Sequence, residues 1–442
     1  MSDRTIDLHV PTLTRVEGEG AMHVTVVDGH LDDIRLEIYE PPRFFEAFLR
    51  GRGYAEPVDI TARICGICPV AYQMSACHAL ESIDGVMPGG AIRELRRLLY
   101  CGEWIESHVL HIAFLHAPDF LGVDSGIEIA RRHPELMDEV LHLKKTGNRI
   151  MEVIGGRPIH PVNVRLGGFY RAPTRGELDA LLDDLERAHA GALALVRWVS
   201  TFRFPEVPGR LAADTEYVSL RHGGEYPFNE GRVVSNLGLD VDVPEFGRRI
   251  REYQVGHSTA LHATLADENG HRRHFQTGPL ARWMNNADLV PDSVRAVADE
   301  VGVAEVETNP FRSILVRGLE VLWAVEESQR IIDAYCAPVA PFVGVPQPVG
   351  VGHGCTEAPR GILYHRYDVD ADGLIADAVI IPPTSQNQDA IERDLRDFVT
   401  SHLDLDDETL GHRCEQVIRN YDPCISCATH FLRLEIDRAG GP

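Results

Sequence analysis

Two Cys-x-x-Cys pairs stand near opposite ends of the 442-residue chain, one in "RICGIC" and the other in "DPCISC". The first pair is Cys65 and Cys68, and the second pair is Cys424 and Cys427. In each pair the spacing lets two thiolates bind one ion across a single turn of backbone. Because Cys68 and Cys424 are 356 positions apart, a site made of both pairs would join the two ends of the chain at the centre of the fold.

Four thiolates can hold either a structural metal ion or a catalytic metal centre. They suit a structural zinc ion, an iron–sulfur group or another thiophilic transition metal. Spacing alone leaves the zinc interpretation about even with the others, but zinc sites of this kind usually close locally, since a short loop costs little entropy. The pairs are also flanked by Arg63, Asp422 and His430, none of which is needed to hold zinc. We therefore favour a site for chemistry and keep structural zinc as the alternative.

The composition of the chain excludes several classes of protein. Its 43 basic and 67 acidic side chains give a formal charge of −24, whereas a nucleic-acid surface needs a basic face. No run of 18 apolar residues is present, so we expect no membrane span. The start, "MSDRTIDLHV", lacks a charged-then-apolar signal segment, and the nine cysteines are an odd number. We therefore expect a cytoplasmic protein with reduced thiols.

Apolar periodicity predicts long amphipathic helices through the middle of the chain. Apolar residues recur every three or four positions in "GAIRELRRLLYCGEWIESHVLHIAFLH", and similar patterns begin at Pro134, Thr174 and Phe311. The stretch "NQDAIERDLRDFVTSHL" predicts a shorter surface helix. Helices are therefore expected to form the centre of the fold.

Strands are predicted at the edges of this helical centre. Asp28-Gly29 and Asp372-Gly373 each interrupt two β-rich runs and are typical of hairpin turns. Residues 205–300 are richer in Gly, Pro and charge, which predicts loops with short strands. No break in composition is visible. We predict a single domain over residues 1–442, mainly α with small peripheral β-sheets (α+β), with long central helices around a buried metal site.

The cysteine motifs carry a family resemblance. "RICGIC" at 63–68 and "DPCISCATH" at 422–430 resemble the paired signatures of the large, catalytic subunit of nickel–iron hydrogenases. Other stretches agree with that family in order and spacing: "RVEGEG" at 15–20, "RFFEAFLRGRG" at 43–53, "GGRPIHPVNVRLGG" at 155–168, "GCTEAPRG" at 354–361 and "IPPTSQN" at 381–387. The resemblance covers nearly the whole chain. It implies the large-subunit fold and reversible heterolytic cleavage of H2 to protons and electrons.

The resemblance implies a Ni–Fe(CO)(CN)2 centre held by the four cysteines. By similarity, Cys65 and Cys424 are terminal ligands of nickel, and Cys68 and Cys427 bridge nickel to iron. The choice of ligand is chemically coherent, because soft thiolates stabilise nickel across oxidation states.

The same resemblance implies roles for four further residues. Arg360 corresponds to an arginine above the open metal position, where a permanent positive charge can polarise hydrogen. Asp422 is expected to hold Arg360 in place, and Thr384 to donate a hydrogen bond to a cyanide. Glu17 corresponds to the first carboxylate of the proton relay.

A second ion and a maturation step are implied near the end of the chain. Glu46 and His430 correspond to ligands of Mg²⁺ or a similar divalent ion, which prefers oxygen donors and retained waters. The family also implies nickel-insertion factors and an endopeptidase that cuts after His430. Residues 431–442 would then be a removable extension of an unprocessed precursor.

Electrons must leave through partner subunits, because the four motif cysteines are all assigned to the metal pair. We expect an iron–sulfur small subunit packed against this chain. The glycines of "PVGVGHGC" do not complete G-x-G-x-x-G, so any nucleotide must bind another subunit. We therefore place flavin and iron–sulfur clusters on partner subunits, of the diaphorase type if NAD(P) is the acceptor.

Three positions depart from frequent family residues: Glu19, Tyr72 and Ser107. Together with "RICGICPVAYQ", they favour the cytosolic bidirectional, NAD(P)-linked branch, including the sulfhydrogenases. A cytosolic branch that does not use NAD(P) is one alternative. A non-catalytic relative, the quinone-pocket subunit of complex I, is another, but that subunit lacks the four cysteines. The remaining cysteines lack ligand spacing and are expected to be buried small hydrophobic residues: Cys77, Cys101, Cys336, Cys355 and Cys414.

Overall fold

The structure, a computed structural model, describes residues 5–207 and 211–429. Its helices are α1 (Phe45–Leu49), α2 (Pro57–Thr61), α3 (Pro69–Ile83), α4 (Gly90–Leu110), α5 (Ala117–Leu121), α6 (Gly126–Arg132), α7 (Pro134–Gly155), α8 (Arg175–Asp179), α9 (Leu182–Ser200), α10 (Val243–Arg249), α11 (Pro279–Asn286), α12 (Asp292–Glu300), α13 (Ser313–Ala334), α14 (Pro383–Ser401), α15 (Asp407–Arg419) and α16 (Ile425–Ala428). A π-helical turn, His111–His116, continues α4.

The strands are short and lie around the helices. They are β1 (Ile6–Val10), β2 (Gly20–Val27), β3 (His30–Ile38), β4 (Val164–Arg165), β5 (Gly168–Phe169), β6 (Glu216–Arg221), β7 (Arg232–Ser235), β8 (Asp240–Val241), β9 (Ile250–Tyr253), β10 (His262–Ala266), β11 (Arg272–Arg273), β12 (Phe275–Gln276), β13 (Gly350–Ala358), β14 (Gly361–Val369) and β15 (Ile375–Ile381). They form sheets in the orders β1-β2-β3, β11-β10-β9, β12-β6-β7-β8, β13-β14-β15 and β4-β5. The predicted fold class, mainly α with small peripheral sheets, is therefore confirmed.

Four long helices form the centre of the fold. Helix α4 packs against α7 and α13, and α9 packs against the same two helices. The predicted apolar stripe of α4 is buried, including Leu95, Leu99 and Ile105. At the α4–α7 crossing, a Cβ on Gly102 would lie 2.9 Å from the carbonyl oxygen of Gly147, so the two glycines allow the backbones to touch. This stripe is part of the main apolar core, to which α3, α7, α9 and α13 also contribute.

Both predicted hairpins are present. Strands β2 and β3 pair in antiparallel fashion across Asp28-Gly29, whose φ angles are 50° and 74°. Strands β14 and β15 pair across Asp372-Gly373, where Gly373 has a φ of 77°. Left-handed residues at these positions match the twist of paired strands.

Two predictions about secondary structure need correction. Helix α14 begins at Pro383 and much of it is buried, so it is not the shorter surface helix that was predicted. Its polar side chains satisfy backbone groups inside the protein: Gln386 Nε2 donates to the carbonyl of Ile362 at 2.6 Å. Residues 205–300 contain the predicted short strands, but also α10, α11 and α12. Hydrogen-bonded polar residues can be buried, and a pattern of polarity alone does not distinguish them from solvated ones.

Within the described ranges, every helix is too short or too polar to cross a bilayer. Of the five cysteines without ligand spacing, Cys336 is exposed and the other four are buried. The prediction for Cys336 was therefore wrong, because it lies just beyond the end of α13.

Candidate metal centre

Each cysteine pair lies at the start of a helix, and the fold brings the two starts together. Cys68 is the residue before α3, and Cys424 is the residue before α16. The sulfur of Cys65 lies 3.4 Å from that of Cys424, and the sulfur of Cys68 lies 3.6 Å from that of Cys427. The two sulfurs of the second pair are 2.8 Å apart. The sequence predicted these four residues as one site, and the structure places them in one cluster.

The cluster fits a thiolate-bound metal site. All four sulfurs lie within 4.8 Å of one another. A tetrahedral ion with metal–sulfur bonds of about 2.3 Å would hold its sulfurs about 3.8 Å apart. Each cysteine is at most 4% exposed and none forms a disulfide. Buried thiols that form no disulfide and converge on one point are a suitable donor set for soft metals.

Arg43 bridges the two cysteine-containing segments through hydrogen bonds. Its Nη2 atom donates to the carbonyl of Ile64 at 2.7 Å and to the carbonyl of Ser426. Ile64 precedes the first pair, and Ser426 lies within the second pair. One guanidinium therefore fixes the relative position of segments from both ends of the chain.

Glu103, a buried residue of α4, caps the helix that follows the first pair. Its carboxylate accepts the backbone N–H groups of Val70 at 2.6 Å and Ala71 at 3.2 Å. These N–H groups belong to the first turn of α3 and have no carbonyl partner within the helix. Burial raises the pKa of Glu103 well above its usual range, although the two N–H groups oppose that shift.

Glu17 touches the second cysteine pair. Its Oε2 atom lies 3.1 Å from the sulfur of Cys424 and accepts the N–H of Ser426 at 3.1 Å. Its carbonyl accepts the N–H of Ile425 at 2.9 Å. The Ser426 hydroxyl donates at 2.8 Å to Glu40, whose side chain is partly exposed. Carboxylates therefore lie on a path from the sulfur of Cys424 towards the surface.

Arg360 and Asp422 form a buried pair beside the cysteines. Arg360 Nε donates to the carbonyl of Asp422 at 2.7 Å and lies 3.1 Å from its Oδ2 atom. Burial would lower the pKa of Arg360, but Asp422 and the cysteines Cys424, Cys68 and Cys65 hold it well above its ordinary value. Among the described residues, Arg360 Nη1 has no hydrogen-bond partner. A buried cationic donor is therefore free beside the sulfurs.

Thr384 lies in the first turn of α14 and is 2% exposed. Its Oγ1 atom accepts the N–H of Cys424 at 3.1 Å. An accepted bond leaves the hydroxyl hydrogen available for a further acceptor. This geometry permits the donor role that was expected for Thr384.

A buried ionic network holds the turn that carries Arg360. Arg282 makes two bonds to Glu320, at 2.7 and 2.8 Å, and one to Glu357 at 3.1 Å. It also donates to the carbonyls of Ala358 and Pro359, each at 2.9 Å, directly before Arg360. Burial opposes the charge on Glu320, but Arg282 lowers the pKa of this carboxyl to about 2. The network fixes the backbone from which Arg360 extends.

Glu46 lies on α1, and its Oε1 atom accepts the N–H of Ile380 at 2.7 Å. Burial raises the pKa of Glu46 to about 7. The expected second ligand, His430, and the expected extension 431–442 lie outside the described residues. The last described residue, Thr429, is bonded through its carbonyl to the N–H of Arg43 at 2.7 Å, so the chain approaches α1 just before position 430.

Two of the positions that depart from frequent family residues, Tyr72 and Ser107, are buried. Tyr72 is 1% exposed, and burial followed by the charges of Cys427 and Cys68 raises the pKa of its hydroxyl well above its ordinary value. Ser107 is fully buried on α4, and its hydroxyl has no partner among the described residues.

Sequence reasoning missed Arg43, Glu103 and Arg282. Arg43 stands in the stretch "RFFEAFLRGRG", so the motif could have identified it. Glu103 and Arg282 lie in helices, and from the sequence alone a charged residue in a helix is expected on its solvent-exposed face. Only their burial in the fold distinguishes them.

Comparison with known proteins gives consistent results along the chain. A family model described as "Nickel-dependent hydrogenase" matches residues 43–137. The alpha subunit of sulfhydrogenase 1 from Pyrococcus furiosus is 32% identical over 437 residues, covering 98% of this chain and 100% of that protein. Subunit beta of the NAD-reducing hydrogenase of Cupriavidus necator is 27% identical over 469 residues, covering 96% and 95%. A solved NAD+-reducing NiFe-hydrogenase in the H2-reduced state has a TM-score of 0.86 at 27% identity, covering 97% of this chain and 100% of that one.

Proposed function

The chain belongs to the nickel-dependent hydrogenase family, and we propose that its four clustered cysteines hold the nickel–iron centre of the catalytic large subunit. The observation that carries this assignment is the convergence of four buried sulfurs within 4.8 Å. Cys65 and Cys424 are assigned as terminal ligands of nickel. Cys68 and Cys427 are assigned as the bridging ligands.

The bound centre supplies the reaction of the family, reversible heterolytic cleavage of H2 into protons and electrons. The chain's own residues exclude water and hold the reactants. Burial of the four cysteines keeps bulk solvent from the site. In this low-dielectric setting, fixed charges act more strongly than they would in water.

Arg360 is assigned to orient and polarise hydrogen. Its Nε atom is occupied by Asp422, and its Nη1 atom remains available beside the sulfurs. Because a guanidinium stays protonated throughout the working pH range, the positive charge persists during turnover. Asp422 acts by positioning Arg360, and Thr384 is assigned as a hydrogen-bond donor to a cyanide.

Glu17 is assigned as the first proton acceptor beyond the cysteine sulfur. The 3.1 Å separation of its Oε2 atom from the sulfur of Cys424 is short enough for direct proton transfer. Ser426 and Glu40 extend the polar contacts towards the surface. Glu46 is assigned, with His430, to a Mg²⁺-type ion. Cleavage after His430 remains a proposal of the same kind.

An iron–sulfur small subunit is assigned to the surface beside the first cysteine pair. Exposed apolar side chains lie in this part of the fold: Ile159 and Val162 are 51% and 46% exposed in one loop, and Tyr170 and Phe342, 60% and 36% exposed, both contact the guanidinium of Arg165. Ile159 lies next to Gly66, which is between the two cysteines. An exposed apolar patch of this kind is typical of a protein interface. Its place beside the cysteines would give electrons a short route out.

NAD(P) is the proposed final acceptor, reached through flavin and iron–sulfur partner subunits. The proposal is supported by the likeness to the NAD+-reducing structure at a TM-score of 0.86. The test is H2-dependent reduction of NADP+ and NAD+ by the purified complex, with an artificial dye as a control acceptor. Dye reduction without reduction of either nucleotide would favour the branch that does not use NAD(P). Loss of both activities in a nickel-replete complex would contradict the catalytic assignment.

A further inference from the structure

A second cluster of metal-binding side chains lies apart from the four cysteines. His257, His262 and Glu392 place one ligand atom each within 4.8 Å of one another. His257 lies in the loop between β9 and β10, His262 begins β10, and Glu392 is on α14. We propose that these three residues form a binding site for one divalent transition ion of the Zn²⁺ class.

The hydrogen bonding of His262 leaves one ring nitrogen able to bind a cation. Its Nδ1 atom lies 3.0 Å from Asp389 Oδ1, so the ring donates its Nδ1–H to that carboxylate. In the neutral ring this leaves a lone pair on Nε2. His262 is 1% exposed, and its Nε2 atom has no hydrogen-bond partner among the described residues. Buried acceptor atoms are rarely left without a partner.

The other two residues, His257 and Glu392, each place one ligand atom within 4.8 Å of a ring nitrogen of His262. His257 Nε2 lies 2.8 Å from Glu392 Oε1, and that oxygen also accepts the N–H of Leu36 at 3.0 Å. An ion would replace the proton between His257 and Glu392 and would at the same time engage His262. The bond from Leu36 holds the carboxylate in place, as outer partners commonly do for metal ligands.

The donor set determines the class of ion. Two imidazoles and one carboxylate suit Zn²⁺ and neighbouring transition ions, whereas Mg²⁺ and Ca²⁺ prefer oxygen ligands throughout. The Asp389–His262 contact reproduces the carboxylate–histidine arrangement that fixes metal-binding imidazoles. His257 and Glu392 are 21% and 18% exposed in their side chains, which leaves room for water as a fourth ligand.

An ion at this position would cross-link elements that support the nickel–iron centre. It would tie the β9–β10 loop and β10 to α14, while Glu392 remains bonded to Leu36 of β3. Helix α14 also carries Thr384, which bonds the N–H of Cys424. The proposed role is therefore structural, and it does not depend on the assignment of the electron acceptor.

The test uses the nickel-replete complex after dialysis against a chelator. Zn²⁺ alone is then titrated, and retained zinc, retained nickel and the thermal unfolding midpoint are measured. We expect one zinc per chain and a higher unfolding midpoint, since a ligand of the native state stabilises it. A wild-type complex that retains no zinc and shows no rise in midpoint would overturn the proposal. This measurement needs no variant and is independent of folding defects.

Variants locate the ion. His257→Gln and Glu392→Gln should each weaken zinc binding by at least about 10-fold, in line with the loss of one ligand interaction, while nickel content stays at the wild-type level. His274→Gln is the matched control, because His274 contacts Asp389 at 3.0 Å but lies outside the three-residue cluster. It should bind zinc as the wild type does. If the retained zinc were bound by the four cysteines, the amount of zinc per chain would be unchanged in Glu392→Gln. That result would also overturn the proposal.

Discussion

Arg360 is held on two sides before any substrate arrives. Asp422 bonds its Nε atom at 2.7 Å, and Arg282 holds the two carbonyls that precede it in the chain. The charge is thus fixed at one position, and in the proposed role of Arg360 it would need little reorganisation during the reaction. Fixed donors of this kind commonly contribute several kcal/mol to a transition state, or about 100- to 1,000-fold in rate.

Replacement of Arg360 by Lys is predicted to remove most turnover while leaving the metals bound. Lysine keeps the charge but cannot both bond Asp422 through Nε and present a second nitrogen to the site. We expect a fall in H2 oxidation of at least about 100-fold with unchanged nickel content. Arg63→Lys is the control, because Arg63 is exposed although it lies two positions before Cys65. Full activity of Arg360→Lys would exclude the proposed role.

Replacement of Glu17 by Gln is predicted to suppress hydrogen–deuterium exchange with solvent. The amide keeps the size of the side chain and can still accept the N–H of Ser426, but it cannot accept a proton from the sulfur of Cys424. Nickel content should remain at the wild-type level. Glu19→Gln serves as the control, since Glu19 is exposed. Exchange at the wild-type rate in Glu17→Gln would remove Glu17 from the proton path.

At this scale the sequence could propose only the residues that stand in motifs, and it missed those whose contacts depend on the fold. The four cysteines, Arg360 and Glu17 stand in motifs, so a resemblance could assign them. Glu103 acts through burial and through the first turn of a helix that is distant in sequence. Such a role leaves no local pattern.

Among the structural elements, the β13–β14 turn depends on helices α11 and α13. Arg282 of α11 connects Glu320 of α13 to Glu357 of β13, and all three side chains are at most 1% exposed. Removing one member of a buried ionic group leaves the others without a partner, which typically costs about 3–5 kcal/mol. The rigidity of the turn is therefore linked to the central helices.

Arg282→Met is predicted to lower the thermal unfolding midpoint of the complex and to reduce turnover through displacement of Arg360. Methionine fills part of the volume but leaves the carboxylates of Glu320 and Glu357 buried without the guanidinium that binds both of them. Adding Glu320→Gln should recover part of the lost stability. Arg149→Met is the control, because the Arg149 side chain is 51% exposed and its ion pair should contribute little. Equal midpoints for Arg282→Met and Arg149→Met would contradict this account.

The π-helical turn after α4 should make stability depend on pH. Burial lowers the pKa of His116 to about 3, while Asp119 opposes the shift and Arg317 adds to it. Since the unfolded histidine has a pKa near 6.5, the unfolded chain binds more protons between about pH 6.5 and pH 3. The contribution of His116 to the free energy of unfolding is therefore fully present above pH 6.5 and is lost as pH falls through this window. At pH 5 the loss amounts to about 2 kcal/mol.

His116→Phe tests this prediction through the difference between unfolding midpoints at pH 7.5 and pH 5.5. Phenylalanine cannot take up a proton, so the difference should be smaller than in the wild type, whatever the variant's absolute stability. His412→Phe is the matched control, because the His412 side chain is 73% exposed. An unchanged pH dependence in His116→Phe would show that His116 is not titrated in this window.

The type of each secondary-structure element was predicted more accurately than its burial. Apolar periodicity predicted the long helices, and the Asp-Gly dipeptides predicted both hairpins, because these signals are local in sequence. The burial of α14 was missed, since Gln386 and Asn387 are polar and their partners, Ile362 and Thr277, lie far away in sequence. A helix with buried polar groups and one with solvated groups have similar sequences.

At the scale of the whole molecule, the two ends of the chain meet at one site. Glu17 pairs with Ile425 through the backbone, and Arg43 bonds carbonyls on both sides of the cysteine cluster. The residues alone left a structural zinc site open, and the resemblance was needed to assign the four cysteines to a nickel–iron centre. The single-domain prediction for residues 1–442 remains a prediction.

Infrared spectroscopy of the nickel-replete complex tests the central claim most directly. The account predicts bands of metal-bound carbon monoxide and cyanide in the wild type, and their loss or shift in Cys427→Ser, where a proposed bridging sulfur is replaced by oxygen. Cys414→Ser, a change at a buried cysteine outside the cluster, should leave the bands unchanged. Absence of these bands from a wild-type complex that contains nickel would contradict the assignment of a nickel–iron centre to the four cysteines.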